Sequence, residues 1–150
     1  MSYCCLILAH AGTSHFKRLV NEYLDSNVSV FVHVDKKSDE SEFREEQWGS
    51  RVMFVKDRVS VGWGGFSMIE ATIKLIRLAM DSGQEFGYYT LLSGSDFPVR
   101  SPKALRDFLS ENLGAEYINM TKVPNSELGK SLRRFSSYYI EPSGFFANNR

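Results

Sequence analysis

The sequence predicts an α/β domain in three layers, with a mainly parallel β-sheet between two layers of helices. Segments typical of strands and of helices alternate along the 150 residues at the spacing of parallel βαβ units. The strand-like segment at residues 86–92 has no charged side chain, as expected for a strand covered on both faces. It leads into the polar turn of residues 93–96, and open α/β sheets bind ligands at this carboxyl edge.

The first half of the chain predicts three strands and two helices. Runs of β-branched and aliphatic residues place these strands at residues 3–9, 28–34 and 51–55. After the first strand, Thr13 or Ser14 can cap a helix that ends near Leu24. Residues 38–48 are acidic and charge-mixed, with only Phe43 and Trp48 apolar, which predicts a solvated helix docked by those aromatics.

The longest predicted helix begins near residue 67. Ser67 and Glu70 have the spacing of a capping box, in which each side chain bonds to the backbone N–H of the other residue. The free N–H groups of such a helix start also suit a diphosphate. We expect the helix to end at Gly83 and to pack on the sheet through apolar residues at helical spacing: Ile69, Ile73, Leu75, Ile76, Ala79 and Met80.

The last predicted elements follow the polar turn. Ser101 and Pro102 are an N-cap and a first helical residue, for a helix that runs to about Asn112. A strand is expected at residues 116–120, and a basic segment at residues 130–134 follows it.

Composition excludes some classes of protein. Eighteen basic residues balance eighteen acidic ones, so no overall field favours nucleic acid, and no nucleic-acid partner is expected. Cys4 and Cys5 are adjacent and would point to opposite faces of a strand, which disfavours a disulfide between them and fits a reducing compartment. The apolar run at residues 4–9 is too short for an export signal or a membrane span. We therefore expect a cytoplasmic protein, with peripheral contact with a membrane left open.

Candidate binding residues lie in the turns that follow the strands. Asp35 offers a carboxylate at the exposed end of the second strand, and small residues beside His10 let a nucleotide approach the backbone. Trp63 offers a flat face to a sugar or a base, beside glycines that permit close approach. The predicted donor-binding residues are Ala9, His10, Asp35, Trp63, Gly64, Ser93, Gly94 and Asp96.

Simpler and rival interpretations exist for several of these residues. Asp35 and Asp96 could cap a strand end and a turn. His10, His33 and Asp35 could form a metal site, since strand alternation places the last two on one face. Neutral histidines at strand ends more often make ordinary hydrogen bonds. A dinucleotide-binding oxidoreductase is disfavoured because no G-x-G-x-x-G follows the first strand.

Four motifs in order resemble the core-2/I-branching β-1,6-N-acetylglucosaminyltransferase family, and more narrowly its bacterial members, over roughly residues 3–140. They are L-I-L-A-H at 6–10, H-V-D-K-K-S at 33–38, V-G-W-G-G-F-S at 61–67 and L-L-S-G-S-D-F-P-V at 91–99. The resemblance implies a GT-A-like, Rossmann-like fold that binds a nucleotide sugar. It also implies inverting transfer of a sugar, N-acetylglucosamine, from a UDP-sugar to a hydroxyl of an acceptor glycan.

The same resemblance suggests which functional residues lie within residues 1–150 and which do not. It assigns uridine to the ends of the first two strands, at Ala9, His10 and Asp35. A typical family domain is about twice as long as this chain, so residues 1–150 are expected to form the amino-terminal part of a single GT-A-like domain. The catalytic glutamate and the basic side chains that neutralise the diphosphate are then expected beyond Arg150, and the catalytic residues are not assigned here.

The resemblance also has implications for metal use and for acceptor binding. The family works without a metal, and this sequence contains no D-x-D motif, so no metal and no cofactor besides the donor are expected. Arg133 and Arg134 are candidate acceptor-binding residues. Residues 119–125 lack the acidic residue through which family members contact the acceptor, which puts the usual acceptor in doubt. If the chain is complete at 150 residues, the alternative is a noncatalytic nucleotide- or sugar-binding module.

Overall fold

A computed structural model describes residues 2–136 of the protein. The chain divides into two compact units, Met1–Asn112 and Leu113–Arg150. Within the described residues, no helix combines the length and the apolar character needed to cross a lipid bilayer.

A four-stranded, all-parallel sheet forms the centre of the first unit. Its strands are β1 (Tyr3–Ala9), β2 (Ser29–Val34), β3 (Val52–Phe54) and β4 (Tyr88–Ser93). The order across the sheet is β3-β2-β1-β4, so β1 and β2 are central and β4 is an edge strand. The four strands predicted in this part of the chain are confirmed, with ends that differ by at most two residues.

Helices cover both faces of this sheet. They are α1 (Thr13–Asp25), α2 (Phe66–Met80) and α3 (Pro102–Glu111). Residues of α1 and α3, such as Leu19 and Leu109, share one apolar core with Ile7 of β1. Leu75 of α2 lies in a second core, on the opposite face of the sheet, with Leu6. The three-layer α/β fold is therefore confirmed.

The predicted start of α1 differs from the structure, and that of α3 agrees. Gly12, with a φ of 69°, precedes α1, and no side chain caps it, so the prediction of Thr13 or Ser14 as cap was wrong. Ser101 caps α3 as predicted, because its Oγ accepts a hydrogen bond from the backbone N–H of Ala104.

The prediction of one helix at residues 38–48 was wrong. Two short 3-10 helices occupy this region, Glu40–Phe43 and Glu46–Arg51. Both aromatic residues, Phe43 and Trp48, are buried against the ring of Phe16 in α1. Residues five apart on an α-helix point about 140° away from each other. A continuous helix could not bury both aromatic rings in the same core.

The predicted packing face of α2 was wrong in part. Leu75 and Ala79 are buried as expected, but the apolar residues on the other side of the helix are exposed by 37–65%: Ile69, Ile73, Ile76 and Met80. The capping box is also absent, because α2 begins at Phe66 after Gly65. Ser67 lies inside the helix, where its Oγ accepts a hydrogen bond from the N–H of Gly62. The stripe that contains small alanines packs closely on the sheet and leaves the isoleucines outside.

The strand predicted to be covered on both faces is exposed on one. Tyr89 and Leu91 of β4 pair with Cys4 and Leu6 of β1, so their side chains point to the α2 side of the sheet. They are 43% and 50% exposed, because α2 packs over β1 and β2 and not over this edge. Lack of charge in the sequence did not reveal the strand's edge position.

Both cysteines are buried and free, and they point to opposite faces of the sheet, as the sequence predicted for adjacent strand residues. Cys4 lies in the core beneath α2, and Cys5 lies in the core beneath α1 and α3.

The second unit has little regular structure within residues 113–136. The strand predicted at 116–120 is absent, so that prediction was wrong. Asn125 and Lys130 form an antiparallel bridge that closes a turn, and Leu132–Arg134 forms a 3-10 helix. Within the described residues, no strand pairs with this exposed segment.

Candidate functional site

A cleft of about 740 Å³ opens at the carboxyl ends of β1, β2 and β4. Five of the eight predicted donor-binding residues line it: Ala9, His10, Asp35, Trp63 and Ser93. This is the edge at which open parallel sheets bind ligands.

The floor of the cleft lies on the α2 side of the sheet. Leu8 of β1 is in register with His33 of β2 and with Ser93 of β4, so these three side chains share one face. All three line the cleft, and Asp35 joins them one residue beyond β2. His33 and Asp35 therefore come together as strand alternation predicted.

Asp35 is buried and bonded within its own turn. Its side chain is the one carboxylate among the described residues that line the cleft. Its Oδ1 accepts a hydrogen bond of 2.9 Å from the backbone N–H of Lys37, and its Oδ2 lies 3.3 Å from the Lys37 ammonium. The residue is only 6% exposed, so the expectation of an exposed strand end was wrong. Asp35 thus caps the turn and still borders the cleft.

The ends of the central strands are tied together beside the cleft. The Oγ of Ser38 donates a hydrogen bond of 2.7 Å to the carbonyl of His10, and the N–H of Asp35 donates to the carbonyl of Ala9 at 2.8 Å. The Lys37 ammonium donates to the carbonyl of Val61 at 2.6 Å. Lys37 thereby places a positive charge on the cleft wall. The sequence placed Lys37 and Ser38 in the H-V-D-K-K-S motif, but their wall contacts could not be read from it.

The connection from β3 to α2 forms the outer wall. Trp63 lines the cleft while remaining 90% exposed, so its ring is available to a ligand. Gly64 has a φ of 72°, which a glycine adopts without strain, and it does not line the cleft. The backbone N–H of Val59 donates to Nε2 of His33, and burial lowers the pKa of that imidazole. Sequence reasoning missed this contact because its partners lie 26 residues apart.

The turn after β4 is built mainly by its own hydrogen bonds. Asp96 Oδ2 accepts from the N–H of Ser93 at 2.8 Å, and Asp96 does not line the cleft. Gly94 packs on β1, where a Cβ added to this glycine would lie 3.2 Å from the Cα of Ala9. Gly94 borders a smaller cavity of about 270 Å³ that also contacts His15. Gly94 and Asp96 thus shape the edge of the sheet, and a ligand contact for either stays a prediction.

The remaining candidates lie elsewhere or have no metal-site geometry. Arg133 and Arg134 belong to the 3-10 helix of the second unit, and Arg133 is exposed. Within residues 2–136, no three side chains of histidine, cysteine, aspartate or glutamate are grouped to hold a metal ion. The rival metal site of His10, His33 and Asp35 is therefore not formed.

Comparison with known families identifies the chain. The family model described as Core-2/I-Branching enzyme matches residues 5–142. The chain belongs to the Core-2/I-Branching enzyme family. Its three-layer fold with a parallel sheet is consistent with the GT-A-like glycosyltransferase domain.

Curated relatives of this family member are xylosyltransferases. Over 91 residues the chain is 30% identical to Xylosyltransferase oxt of Drosophila pseudoobscura pseudoobscura, a match that covers 59% of the chain and 10% of the relative. Over 129 residues it is 26% identical to human Xylosyltransferase 2, covering 83% of the chain and 15% of the relative. The chain thus spans a small part of these proteins. Their names specify xylose, whereas the motifs suggested N-acetylglucosamine.

Proposed function

We propose that the cleft binds the UDP part of a nucleotide sugar and forms the donor side of a glycosyltransferase site. The supporting observation is a cleft at the carboxyl edge of a parallel sheet, bordered by Asp35 and Lys37, in a member of the Core-2/I-Branching enzyme family. Its volume lies within the range usual for small-molecule sites. The opposite charges of these two residues can serve different parts of the donor.

The lining residues fit the chemistry of uridine diphosphate. Leu8, Leu91 and Met68 offer apolar surface to the base and to the carbon atoms of the ribose. The Asp35 carboxylate can accept hydrogen bonds from the uracil N–H or from ribose hydroxyls. The Lys37 ammonium can attract the diphosphate, and the exposed ring of Trp63 can stack on the base or the sugar.

The transfer step needs two further groups. Charge develops on the departing diphosphate, and the acceptor hydroxyl must lose a proton to a base. Asp35 is already hydrogen bonded to Lys37, so it is poorly placed to act as that base. We therefore propose that the base and further cationic groups lie outside the described residues. We also propose that transfer proceeds with inversion, as the family resemblance implies, and without a metal, since the sequence contains no D-x-D motif.

Calorimetry tests nucleotide binding and its metal dependence together. UDP is titrated into the protein in EDTA and then in excess Mn²⁺, with CDP as a control that changes only the base. We expect UDP to bind in EDTA with unchanged affinity in Mn²⁺, and CDP to bind more weakly because its ring lacks the uracil N–H. A requirement for Mn²⁺ would contradict metal independence, and absence of UDP binding would contradict the proposed function.

The donor sugar is tested by competition between two nucleotide sugars. We propose N-acetylglucosamine, and the names of the relatives make xylose the competing outcome. Transfer from UDP-N-acetylglucosamine and from UDP-xylose to a glycan acceptor is measured with the protein expressed from its complete coding sequence. Faster transfer of N-acetylglucosamine supports the proposal, and faster transfer of xylose replaces it. UDP binding without transfer of any sugar would favour a noncatalytic module.

A further inference from the structure

His33 lies on the floor of the cleft, but its imidazole is used by the protein itself. The residue is 1% exposed, and its Nε2 accepts a hydrogen bond of 2.9 Å from the backbone N–H of Val59. Val59 belongs to the connection from β3 to α2, the segment that carries Val61 and Trp63 to the cleft. The His33 side chain therefore holds the first part of the outer wall in place.

Both backbone groups of Val59, its N–H and its carbonyl, are hydrogen bonded to β2 or to the turn that follows β2. Its N–H donates to His33, and its carbonyl accepts from the backbone N–H of Lys36 at 3.0 Å. Two residues later the carbonyl of Val61 accepts from the Lys37 ammonium. The bond to His33 is buried, whereas the Lys37 side chain is 60% exposed.

We propose that His33 is a positioning residue, whose neutral imidazole fastens the outer wall of the cleft, and that protonation of His33 weakens donor binding. This inference rests on the proposed function, since it concerns the same cleft. His33 acts through Val59 and the connection from β3 to α2, which forms the outer wall. It needs no contact with the nucleotide.

The hydrogen bond defines the protonation state that the wall requires. Nε2 can accept from Val59 only when its lone pair is free, so the single ring proton lies on Nδ1. In the imidazolium both nitrogens are donors, and the two N–H groups would then oppose each other. The buried N–H of Val59 would lose its partner, which is costly, and the wall would separate from β2.

The surroundings of His33 favour the neutral form. Burial is the largest effect and lowers its pKa, and the positive charges of Lys74 from α2 and Arg58 from the wall segment act in the same direction. A hydrogen bond to the His33 backbone and the carboxylate of Asp35, at the end of the same strand, oppose them and raise the pKa. His10 and Lys37 also line the cleft. With a lowered folded pKa, the fastened state is fully stable above the unfolded value of about 6.5 and loses stability as the pH falls below it.

The binding test uses UDP titrations between pH 5 and pH 8 on the whole chain. In His33→Gln the amide oxygen can still accept from Val59 but does not titrate, whereas His33→Ala has no acceptor. We expect UDP affinity of the unmodified protein, relative to His33→Gln, to fall with acid, approaching tenfold per pH unit below the His33 pKa. This comparison cancels the ionisation of UDP itself. His33→Ala should bind UDP more weakly than His33→Gln at every pH.

His15→Gln is the matched control, because His15 borders the smaller cavity, does not line the cleft and makes its hydrogen bond to the carbonyl of Asp96. It should keep the pH profile of the unmodified protein. The inference is overturned if His33→Gln keeps that profile too, or if His33→Ala binds UDP normally.

A measurement without nucleotide separates this inference from the proposed function. Hydrogen exchange at the Val59 amide, corrected for its intrinsic rate, should show protection that falls with acid in the unmodified protein. Protection should stay constant in His33→Gln and be low in His33→Ala. If UDP fails to bind while protection behaves in this way, only the proposed function is lost. Protection at Val59 that is independent of His33 overturns the positioning role, and nitrogen shifts that show a proton on Nε2 at neutral pH overturn it without any variant.

Discussion

We predict two roles for Asp35: it stabilises its own turn, and it binds the nucleotide. Substitution of this residue tests both. Replacement by alanine removes the 2.9 Å bond from the Lys37 N–H and the contact with the Lys37 ammonium. A hydrogen bond to a charged group contributes about 1.5–3 kcal/mol, and the half-exposed ion pair adds about 1 kcal/mol or less. Asp35→Ala should therefore lower the free energy of unfolding by roughly 1.5–4 kcal/mol.

The same substitution should weaken UDP binding if the carboxylate contacts uridine. The expected loss is roughly ten- to a hundredfold in affinity, from the same range of hydrogen-bond free energies. Asp35→Asn keeps an oxygen for the Lys37 N–H but loses the charge, so most of the stability should remain while affinity still falls. Urea denaturation measures the stability, and calorimetry measures the affinity of the folded protein.

Asp39 provides a matched control for this pair of measurements. Its Oδ1 accepts from the N–H of Ser41 at 2.9 Å, the same kind of bond at the same distance, and it does not line the cleft. Asp39→Ala should leave UDP affinity unchanged. If Asp35→Asn binds UDP as tightly as the unmodified protein, Asp35 is a structural cap and the reasoning about uridine is refuted.

Three further predictions concern the fold around the cleft. Gly94→Ala should cost about 1–3 kcal/mol in urea denaturation, because the added carbon crowds the end of β1, and an unchanged midpoint would contradict that close approach. Leu75→Ala should cost about 2–5 kcal/mol, but Ile73→Ala about 1 kcal/mol or less, and equal losses would contradict the assigned packing face of α2. Burial raises the pKa of the Cys4 thiol to about 12 and also raises that of Cys5, so iodoacetamide at pH 8 should label both only after unfolding, and rapid labelling of the folded protein would refute this.

Much of the fold follows from local sequence patterns. The strands at the centre of the sheet are β-rich runs, and the Ser101-Pro102 cap of α3 depends only on neighbouring residues. The packing face of α2 could not be predicted in the same way, because the helix carries apolar residues on two sides. Only the sheet beneath it decides that Leu75 is buried and Ile69 exposed.

The location of the candidate site could be predicted from the sequence, but its hydrogen bonds could not. Strand alternation and the carboxyl-edge rule brought His33, Asp35 and Ser93 to one cleft. The sequence could not show that Asp35 is buried in its own turn or that His33 holds Val59, because these contacts depend on how distant segments pack. Asp96 follows β4 in the same way but turns toward its own backbone.

The central claim is that UDP occupies the cleft at the carboxyl edge of the sheet. Backbone amide resonances recorded during a UDP titration in EDTA test it most directly. We predict the largest shifts at His10, Asp35 and Lys37, together with the indole of Trp63. Shifts confined to the smaller cavity around Gly12 and Ser95, or no shifts at saturating UDP, would contradict the account.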